Sequence, residues 1–204
     1  MQTKKENIER TLLVVAREQF MKNGVRKTSM QTIARLSGVA VGNIYNYFKS
    51  KDDLFKAIMR PLLVAMEDYN KHNLDEVYIS LDVFKEEKFF ERMKKQVEAL
   101  ILPYKDEMRL LITQSQGTSL EYFLRHFKET QKIDGMKYIE RMKNHFPELS
   151  KEVSPLFLNI ISDLWMSVIK QIVLNPMISE AEIDLLLNNF ITYGMGGWKS
   201  LLRA

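Results

Sequence analysis

The sequence contains no cysteine, only five prolines and only eight glycines among its 204 residues. Without cysteine, a disulfide framework, a thiolate metal site and a cysteine nucleophile are all excluded. The scarcity of the two residues that interrupt helices leaves long stretches rich in Ala, Glu, Lys, Leu and Met, and these favour an all-α fold. No strand-like alternation of useful length and no internal repeat is present.

Signals of catalysis and of membrane insertion are also missing. The chain has no GxSxG, P-loop, dinucleotide-binding or HExxH motif, and His72, His126 and His145 are isolated from one another. We therefore predict no enzymatic activity, no metal site and no cofactor. The N-terminus is charged rather than signal-like, and no uninterrupted apolar run is long enough to cross a bilayer. A cytoplasmic protein with no membrane partner is expected.

The charge is unevenly distributed along the chain. Residues 1–56 carry eleven Lys or Arg and five Asp or Glu, whereas residues 57–204 carry nineteen and twenty-one. The positive excess therefore lies entirely in the first quarter of the sequence. Such an asymmetry is typical of a small module that contacts nucleic-acid phosphates.

Residues 28–54 have the pattern of a helix-turn-helix. Ser29 is placed to cap a short helix, and Gly38 can supply the left-handed residue of a sharp turn. In the second helix, Ile44 and Phe48 lie four residues apart on one face, so they are expected to be buried. The opposite face is small, amide-rich and cationic, which suits the DNA major groove, and carries Gly42, Asn43, Asn46 and Lys49.

From Lys4 to about Ile58 the chain resembles the TetR family of bacterial repressors. The matching positions are Thr28, Ile33-Ala34, Gly38-Val39-Ala40, Gly42-Asn43-Ile44-Tyr45, Tyr47-Phe48, Ser50-Lys51-Asp52 and Leu54. Two departures are visible, because Ala40 stands where the family usually has Ser and Tyr47 stands where His is common. The resemblance implies a three-helix DNA-binding domain at residues 1–56 and a helical ligand-binding and dimerisation domain at residues 57–204.

The resemblance and the helix pattern together predict the DNA contacts. A lysine at the start of a helix is unfavourable unless an anion lies nearby, and for Lys51 a DNA phosphate is the obvious candidate. Thr28, Tyr45 and Tyr47 are expected to anchor phosphates as well, whereas Val41, Gly42, Asn43 and Asn46 are expected to face base edges. The full set of predicted DNA-binding residues is Thr28, Ser29, Val41, Gly42, Asn43, Tyr45, Asn46, Tyr47, Lys49 and Lys51.

Downstream of the helix-turn-helix the pattern predicts a series of longer helices. The fourth should run from Lys51, with Ser50 as its N-cap, into the 70s, with a kink or break near residues 57–60 because of Pro61. Asp134-Gly135 could interrupt one of the later helices. These later helices are predicted at residues 82–102, 104–116, 119–146, 154–174 and 179–202.

The middle of the chain, roughly residues 62–150, is where TetR-like proteins keep a ligand pocket. Here it is rich in Phe, Tyr and Met, which suit a small apolar or aromatic ligand, although such stripes are also typical of plain core. The candidate ligand-binding residues are Phe89, Met93, Tyr104, Met108, Phe123, Phe127, Met142 and Trp165.

Apolar residues in the last two predicted helices recur at steps of three and four, as in a packing seam. Two such helices from each of two subunits would form a four-helix bundle, which is how TetR-like repressors dimerise. The alternative is that both stripes are intramolecular core. The candidate dimer-interface residues are Phe157, Ile161, Leu164, Val168, Leu187, Phe190, Gly194, Gly197, Trp198 and Leu201.

The sequence therefore predicts a ligand-responsive repressor that binds a palindromic operator in double-stranded DNA as a homodimer. An architectural DNA-binding protein would explain the motif and the charge, but it would not need the large second domain. A helical enzyme would leave the helix-turn-helix unexplained.

Overall fold

The structure, a computed structural model, describes residues 2–72, 85–147, 149 and 152–202. Within these residues there is no β-strand, and the predicted all-α fold is confirmed. The α-helices are α1 Gln2–Asn23, α2 Met30–Ser37, α3 Val41–Ile44, α4 Lys51–His72, α5 Glu86–Gln96, α6 Lys105–Gln114, α7 Phe123–His145, α8 Pro155–Leu174 and α9 Glu180–Leu202, and a π-helix at Val97–Ile101 follows α5 directly.

The chain folds into two compact units that differ from the predicted division at residue 56. The first unit, which we call the head, combines Met1–Val64 with Tyr104–Leu124. The second unit combines Ala65–Pro103 with Arg125–Ala204. The head is therefore larger than the helix-turn-helix module, because a segment from the middle of the chain joins it.

The core of the head is built on one face of α1. Leu12, Ala16 and Phe20 recur every four residues and are fully buried, as expected for the apolar stripe of an amphipathic helix. The ring of Phe20 packs edge-to-face on that of Phe55 from α4, with centroids 6.0 Å apart. Ile33, from α2, is also fully buried.

Polar contacts hold residues 104–124 in the head. The guanidinium of Arg17 donates to a carboxylate oxygen of Glu107 at 2.7 Å and to one of Asp106 at 3.0 Å. The hydrogen bond to Glu107 is the main cause of the raised pKa of Arg17. The carboxylate of Asp52 accepts from the backbone N–H and the hydroxyl of Ser119 at 2.8 and 3.1 Å. Although burial alone would raise the pKa of Asp52, these bonds lower it overall.

Most helix boundaries follow the sequence signals. Ser154 caps α8, whose first residue is Pro155, a position where proline loses no helical hydrogen bond. The hydroxyl of Ser179 accepts from the backbone N–H of Glu182 at the start of α9. Pro61 lies inside α4 without ending it, and Gly135 does not interrupt α7. The beginning of the helix predicted at residues 82–102 lies outside the described residues.

The second unit is organised around α5 and α9. The ammonium of Lys94 on α5 and the carboxylate of Asp184 on α9 form an ion pair of 2.7 Å. Ile183, Leu187 and Ile191 on α9 are buried. In contrast, α7 has a single buried residue, Met142, along its 23 positions.

Helix α8 is the one described helix that is long and apolar enough, by length and composition, to cross a membrane. The expectation from the sequence concerned an uninterrupted apolar run, and two charged residues interrupt the apolar sequence of this helix. The helix carries Asp163 and Lys170, and Asp163 forms an ion pair of 2.6 Å with Lys128. A single helix of this kind is also typical of packing helices in proteins that do not enter membranes, so it is weak support for insertion.

Candidate nucleic-acid interface

The turn between α2 and α3 has the predicted geometry. Ser29 caps α2, because its hydroxyl oxygen accepts from the backbone N–H of Thr32 at 3.0 Å. Gly38 ends the helix in the left-handed region with φ of 69°. The backbone N–H of Val39 then donates to the carbonyl of Ala34 at 3.2 Å. A side chain at residue 38 would be strained at this φ, which explains why glycine occupies it.

The segment that follows has one buried face and one exposed face. Ile44 is fully buried and Phe48 is 6% exposed, as predicted. The outward residues are all exposed, namely Gly42, Asn43, Asn46 and Lys49. Because apolar anchors fix one side of this segment in the head, its polar side is held outward and free to contact a ligand.

Two amides on the exposed face interact with each other. The side-chain nitrogen of Asn46 donates to the side-chain oxygen of Asn43 at 3.2 Å. The pair therefore presents its remaining donors and acceptors together, and asparagine amides are groups that read adenine in the major groove.

The side chains of the other predicted DNA contacts differ in their exposure to solvent. The ring of Tyr45 is about half exposed, whereas Val41 and Tyr47 are partly buried. Ser29 is exposed, but its hydroxyl already contacts both the N–H and the hydroxyl of Thr32. Its first role in this structure is to cap α2.

Thr28 does not fit its predicted role as a phosphate ligand. The residue is 2% exposed, and its hydroxyl points at the carbonyls of Gly24 and Gln19, at 2.8 and 3.2 Å. The side chain is therefore directed into the end of α1 and away from solvent. A phosphate could reach it only if the local structure opened.

Lys51 is also engaged inside the chain. Its ammonium donates to the backbone carbonyl of Thr28 at 2.9 Å and to that of Arg26 at 3.2 Å. Partial burial lowers the pKa of Lys51. The neighbouring acids Asp52 and Asp53 are paired with Lys56 instead.

The candidate ligand-binding residues divide between the two units. Tyr104, Met108 and Phe123 belong to the head, where Met108 is buried. Met142 is buried in a small cluster with Leu149. The remaining four lie on α5, α7 and α8 of the second unit and are partly buried, namely Phe89, Met93, Phe127 and Trp165. The eight residues therefore fall into two groups, one in each unit.

The candidate dimer residues also differ in exposure. Val168 and Leu187 are buried within the chain itself, so these two are corrected to intramolecular core. Phe157 packs edge-to-face on Trp198 at 5.8 Å, and Trp165 lies 5.9 Å from Phe190. The other candidates are partly buried or exposed, namely Ile161, Leu164, Gly194, Gly197 and Leu201.

The periodicity of the sequence did not indicate the most exposed apolar residues of the last two helices. On α8, Leu156 is 74% exposed and Ile160 is 57% exposed, and on α9 Tyr193 is 80% exposed. On α8, Leu156, Ile160, Leu164 and Leu174 follow one another at spacings of four, four and ten residues, so their side chains lie on the same side of the helix. We call the residues Leu156, Ile160, Leu164 and Leu174 the α8 stripe.

A metal centre has no support in the described part of the chain, where no group of three His, Asp or Glu side chains comes together. The geometry is thus that of a helix-turn-helix module, built for contact with nucleic acid, followed by a separate helical unit.

Comparison with known proteins identifies the module. Residues 12–58 match the family model described as bacterial regulatory proteins, tetR family. The chain is 42% identical over 53 residues to the HTH-type transcriptional regulator QacR of Staphylococcus aureus, a match that covers 26% of this chain and 28% of that protein. It is 36% identical over 59 residues to the uncharacterized HTH-type transcriptional regulator YhgD of Bacillus subtilis, covering 29% and 31% of the two chains.

A solved structure extends the likeness over the whole fold. The crystal structure of NalD, the secondary repressor of the MexAB-OprM multidrug efflux pump in Pseudomonas aeruginosa, aligns with a TM-score of 0.60 and 18% identity, covering 96% of this chain and 97% of that one. The match to the tetR family model covers the N-terminal module of this chain, residues 12–58. The sequence matches to QacR and YhgD span less than a third of those proteins, and the similarity to NalD concerns the fold alone.

Proposed function

We propose that the protein is a sequence-specific transcriptional regulator, a repressor that binds a palindromic operator in double-stranded DNA as a homodimer in the cytoplasm. The observation that carries this proposal is the two-faced segment after Gly38, whose buried Ile44 and Phe48 present exposed amides and a lysine to solvent. The net positive charge of residues 1–56 supplies the attraction to phosphates. An architectural DNA-binding protein would need the charge but not a base-reading amide pair.

The test is selection of bound duplexes from a random library by the full-length protein. We expect enrichment of one palindromic site, with half-sites separated by about one helical turn or a multiple of it, since two recognition segments must enter successive major grooves. Binding without enrichment would favour the architectural alternative. No binding at moderate salt would contradict both.

Asn43→Ala should relax the preference for one base pair in each half-site. A bidentate amide contact discriminates by about 1–3 kcal/mol, so we expect the preferred base at that position to lose most of its advantage. We propose that the exposed Lys49 contacts a phosphate, so Lys49→Gln is the matched control: it should weaken binding to all sequences alike and reduce the salt slope by about 0.9. Repeating the selection with both variants measures the difference. An unchanged site for Asn43→Ala would contradict its placement at a base edge.

The proposed dimer contact is the α8 stripe together with the exposed side of α9. Leu156, Ile160 and Leu164 are exposed apolar side chains about one helical turn apart, and an exposed apolar patch of this kind marks an interaction site. The two-fold symmetry of a palindrome also requires a second copy of the chain. Beside Gly194 and Gly197 an added Cβ would meet no atom within 4 Å, so a partner helix could approach closely there. Among the candidates from the sequence, Phe157, Leu164 and Gly197 retain the exposure that such a contact needs.

The second unit is also the proposed site of a small apolar or aromatic ligand. Phe89, Met93, Phe127 and Trp165 are partly buried aromatic or thioether side chains on three helices of one unit. Helix α7, which carries Phe127, buries a single residue, Met142, along its length. Low packing density of this kind is typical of elements that reorganise around a ligand.

A ligand that releases the operator must bind the DNA-free arrangement more tightly, because equal affinity for both arrangements shifts nothing. We expect such a compound to weaken operator binding about 5- to 150-fold, and operator DNA to weaken its binding by the same factor. Quenching of Trp165 in a Trp198→Phe background, titrated with and without the selected duplex, measures both affinities. Equal affinity in the two titrations would exclude that compound as the inducer.

A further inference from the structure

We propose that the recognition segment, residues 40–49, selects A·T base pairs at the centre of its contact with each half-site. In this proposal Asn43 and Asn46 read adenine, and the methyl groups of Ala40 and Val41 pack on the 5-methyl groups of thymine. The inference rests on the proposed DNA-binding function and adds the chemical class of the base pairs that the protein prefers.

The residue types of the recognition segment exclude the usual readers of G·C pairs. It contains no Arg, Asp or Glu, and Lys49 at its far end is the one cation. In the major groove guanine is read mainly by Arg or Lys, and cytosine by Asp or Glu. Helix-turn-helix proteins place the first residues of the recognition helix at the bases and the preceding helix across the backbone. Lys49 and the exposed Arg35 of α2 therefore lie outside the base-facing positions.

The two exposed amides suit adenine. Because the side-chain nitrogen of Asn46 donates to Oδ1 of Asn43 at 3.2 Å, the orientation of the Asn43 amide is set before DNA binds. This bond leaves Nδ2 of Asn43 as a donor, and Oδ1 keeps a second lone pair. Adenine offers the complementary pattern, with the acceptor N7 beside the amino group on C6. Guanine offers two acceptors, so the amide oxygen would face O6 without a hydrogen bond.

Apolar side chains precede these amides along the segment. Ala40 is exposed at the N-cap of α3, and Val41, the first residue of that helix, is partly buried. Ser, Thr, Asn or Asp would stabilise the helix better at an N-cap, so the local fold gives no reason for an alanine there. Of the four bases, thymine alone carries a methyl group in the major groove, and small apolar side chains contact it. Methyl groups beside an adenine-reading amide therefore suit the same kind of base pair.

The base composition of the duplex selected from the random library tests this inference directly. We expect A·T pairs at the positions whose preference changes when the selection is repeated with Asn43→Ala and with Val41→Ser. G·C pairs at those positions would overturn the inference, while a palindromic site would still support the proposed function. A library that yields no preferred duplex would overturn both.

Replacing thymine by uracil in the selected duplex removes the methyl group and leaves the base pair intact. Burying one such group is worth about fourfold in affinity, so the wild-type protein should lose about that factor at each contacted thymine. Val41→Ser should lose its sensitivity to uracil at one of these positions. Val14→Ser is the matched control, because it makes the same replacement at an exposed valine of α1, and it should keep the full sensitivity. Equal wild-type affinity for the thymine and uracil duplexes would overturn the role of the methyl groups.

Replacing adenine by 7-deazaadenine removes the N7 acceptor and keeps the pairing with thymine. At the adenine that Asn43 reads, we expect wild-type affinity to fall about 2- to 12-fold, the scale of one hydrogen bond. Asn43→Ala should be insensitive to this replacement, because the donor to N7 is already gone. Lys49→Gln, folded as judged by circular dichroism like every variant used, should keep the sensitivity while binding all duplexes more weakly. Sensitivity that persists in Asn43→Ala would overturn the adenine contact.

Discussion

Ile160→Glu should convert the dimer into a monomer and abolish tight operator binding. Ile160 is 57% exposed in the single chain and lies in the α8 stripe, so in the proposed dimer the glutamate would be buried against apolar side chains of the second copy. An unpaired charge buried in this way costs about 3–5 kcal/mol, which corresponds to roughly two to three and a half orders of magnitude in the dimer dissociation constant.

Analytical ultracentrifugation at micromolar concentration measures the loss of dimer, and titration of the selected duplex measures the loss of affinity. The matched control is Lys95→Glu, which places the same carboxylate at an exposed position on α5, a different helix of the same unit. We expect the control to remain dimeric and both variants to keep their helical content. A dimer that survives Ile160→Glu would place the interface elsewhere on the molecule.

The loss of the dimer and the loss of operator affinity should occur together for a geometric reason. A palindrome offers two half-sites, and each head supplies one recognition segment. A monomer binds one half-site and loses the advantage of the second, which is held at high effective concentration by the first. Loss of dimer without loss of operator affinity would therefore contradict the palindromic operator, even if the interface were correctly located.

The parts of the head that the sequence predicted correctly are those specified by neighbours along the chain. The cap at Ser29, the left-handed Gly38 and the burial of Ile44 with Phe48 all depend on residues fewer than five positions apart. Each has a direct physical cause in the sequence: a hydroxyl before an apolar run, a residue without a Cβ, and a four-residue spacing. Such signals predict the structure correctly because the local geometry that they favour is also the geometry of the folded protein.

The roles of Thr28 and Lys51 could not be predicted in the same way. Both residues make their bonds to backbone carbonyls, and a carbonyl is present at every residue, so the sequence does not indicate which one will be the acceptor. Twenty-three positions separate Lys51 from Thr28 along the chain. Only the packing of α4 beside the loop after α1 brings the ammonium to its acceptors.

Which side of each of the last two helices faces the core could not be predicted, for a related reason. Helix α8 is apolar on most of its circumference, so its periodicity allows more than one choice of inward face. Val168 proved to be buried, whereas Leu156 and Ile160 remained exposed. Periodicity identifies apolar residues, but the neighbouring helices decide which of them the chain covers by itself.

The extent of the head was also beyond local signals. Arg17 and Glu107 are separated by 90 positions, and nothing near either residue indicates the other. Their contact places Tyr104–Leu124 in the same compact unit as the helix-turn-helix. A division of the chain by composition therefore separated residues that the fold joins.

Phe20→Ala should destabilise the head more than any surface change in this protein. The ring is fully buried between α1 and α4 and packs on Phe55. Removing it forfeits both the burial of the ring and the contacts around the cavity left behind, at a cost of about 3–5 kcal/mol in the free energy of unfolding. That is a large share of the roughly 5–15 kcal/mol that stabilise an ordinary domain.

Urea titration followed by circular dichroism measures the change in the free energy of unfolding, and Val14→Ala is the matched control. Val14 lies on the same helix but is 50% exposed, so its truncation should change stability by about 0.5 kcal/mol or less. Phe55→Ala completes a double-mutant cycle, in which we expect a coupling of about 0.5–1.5 kcal/mol for an edge-to-face aromatic pair.

Because Phe20 belongs to the head and the α8 stripe to the other unit, Phe20→Ala should lose DNA binding as the head unfolds while the dimer persists. If dimer and DNA binding disappeared at the same urea concentration, the head would not unfold separately, and the two compact units would be a single cooperative one.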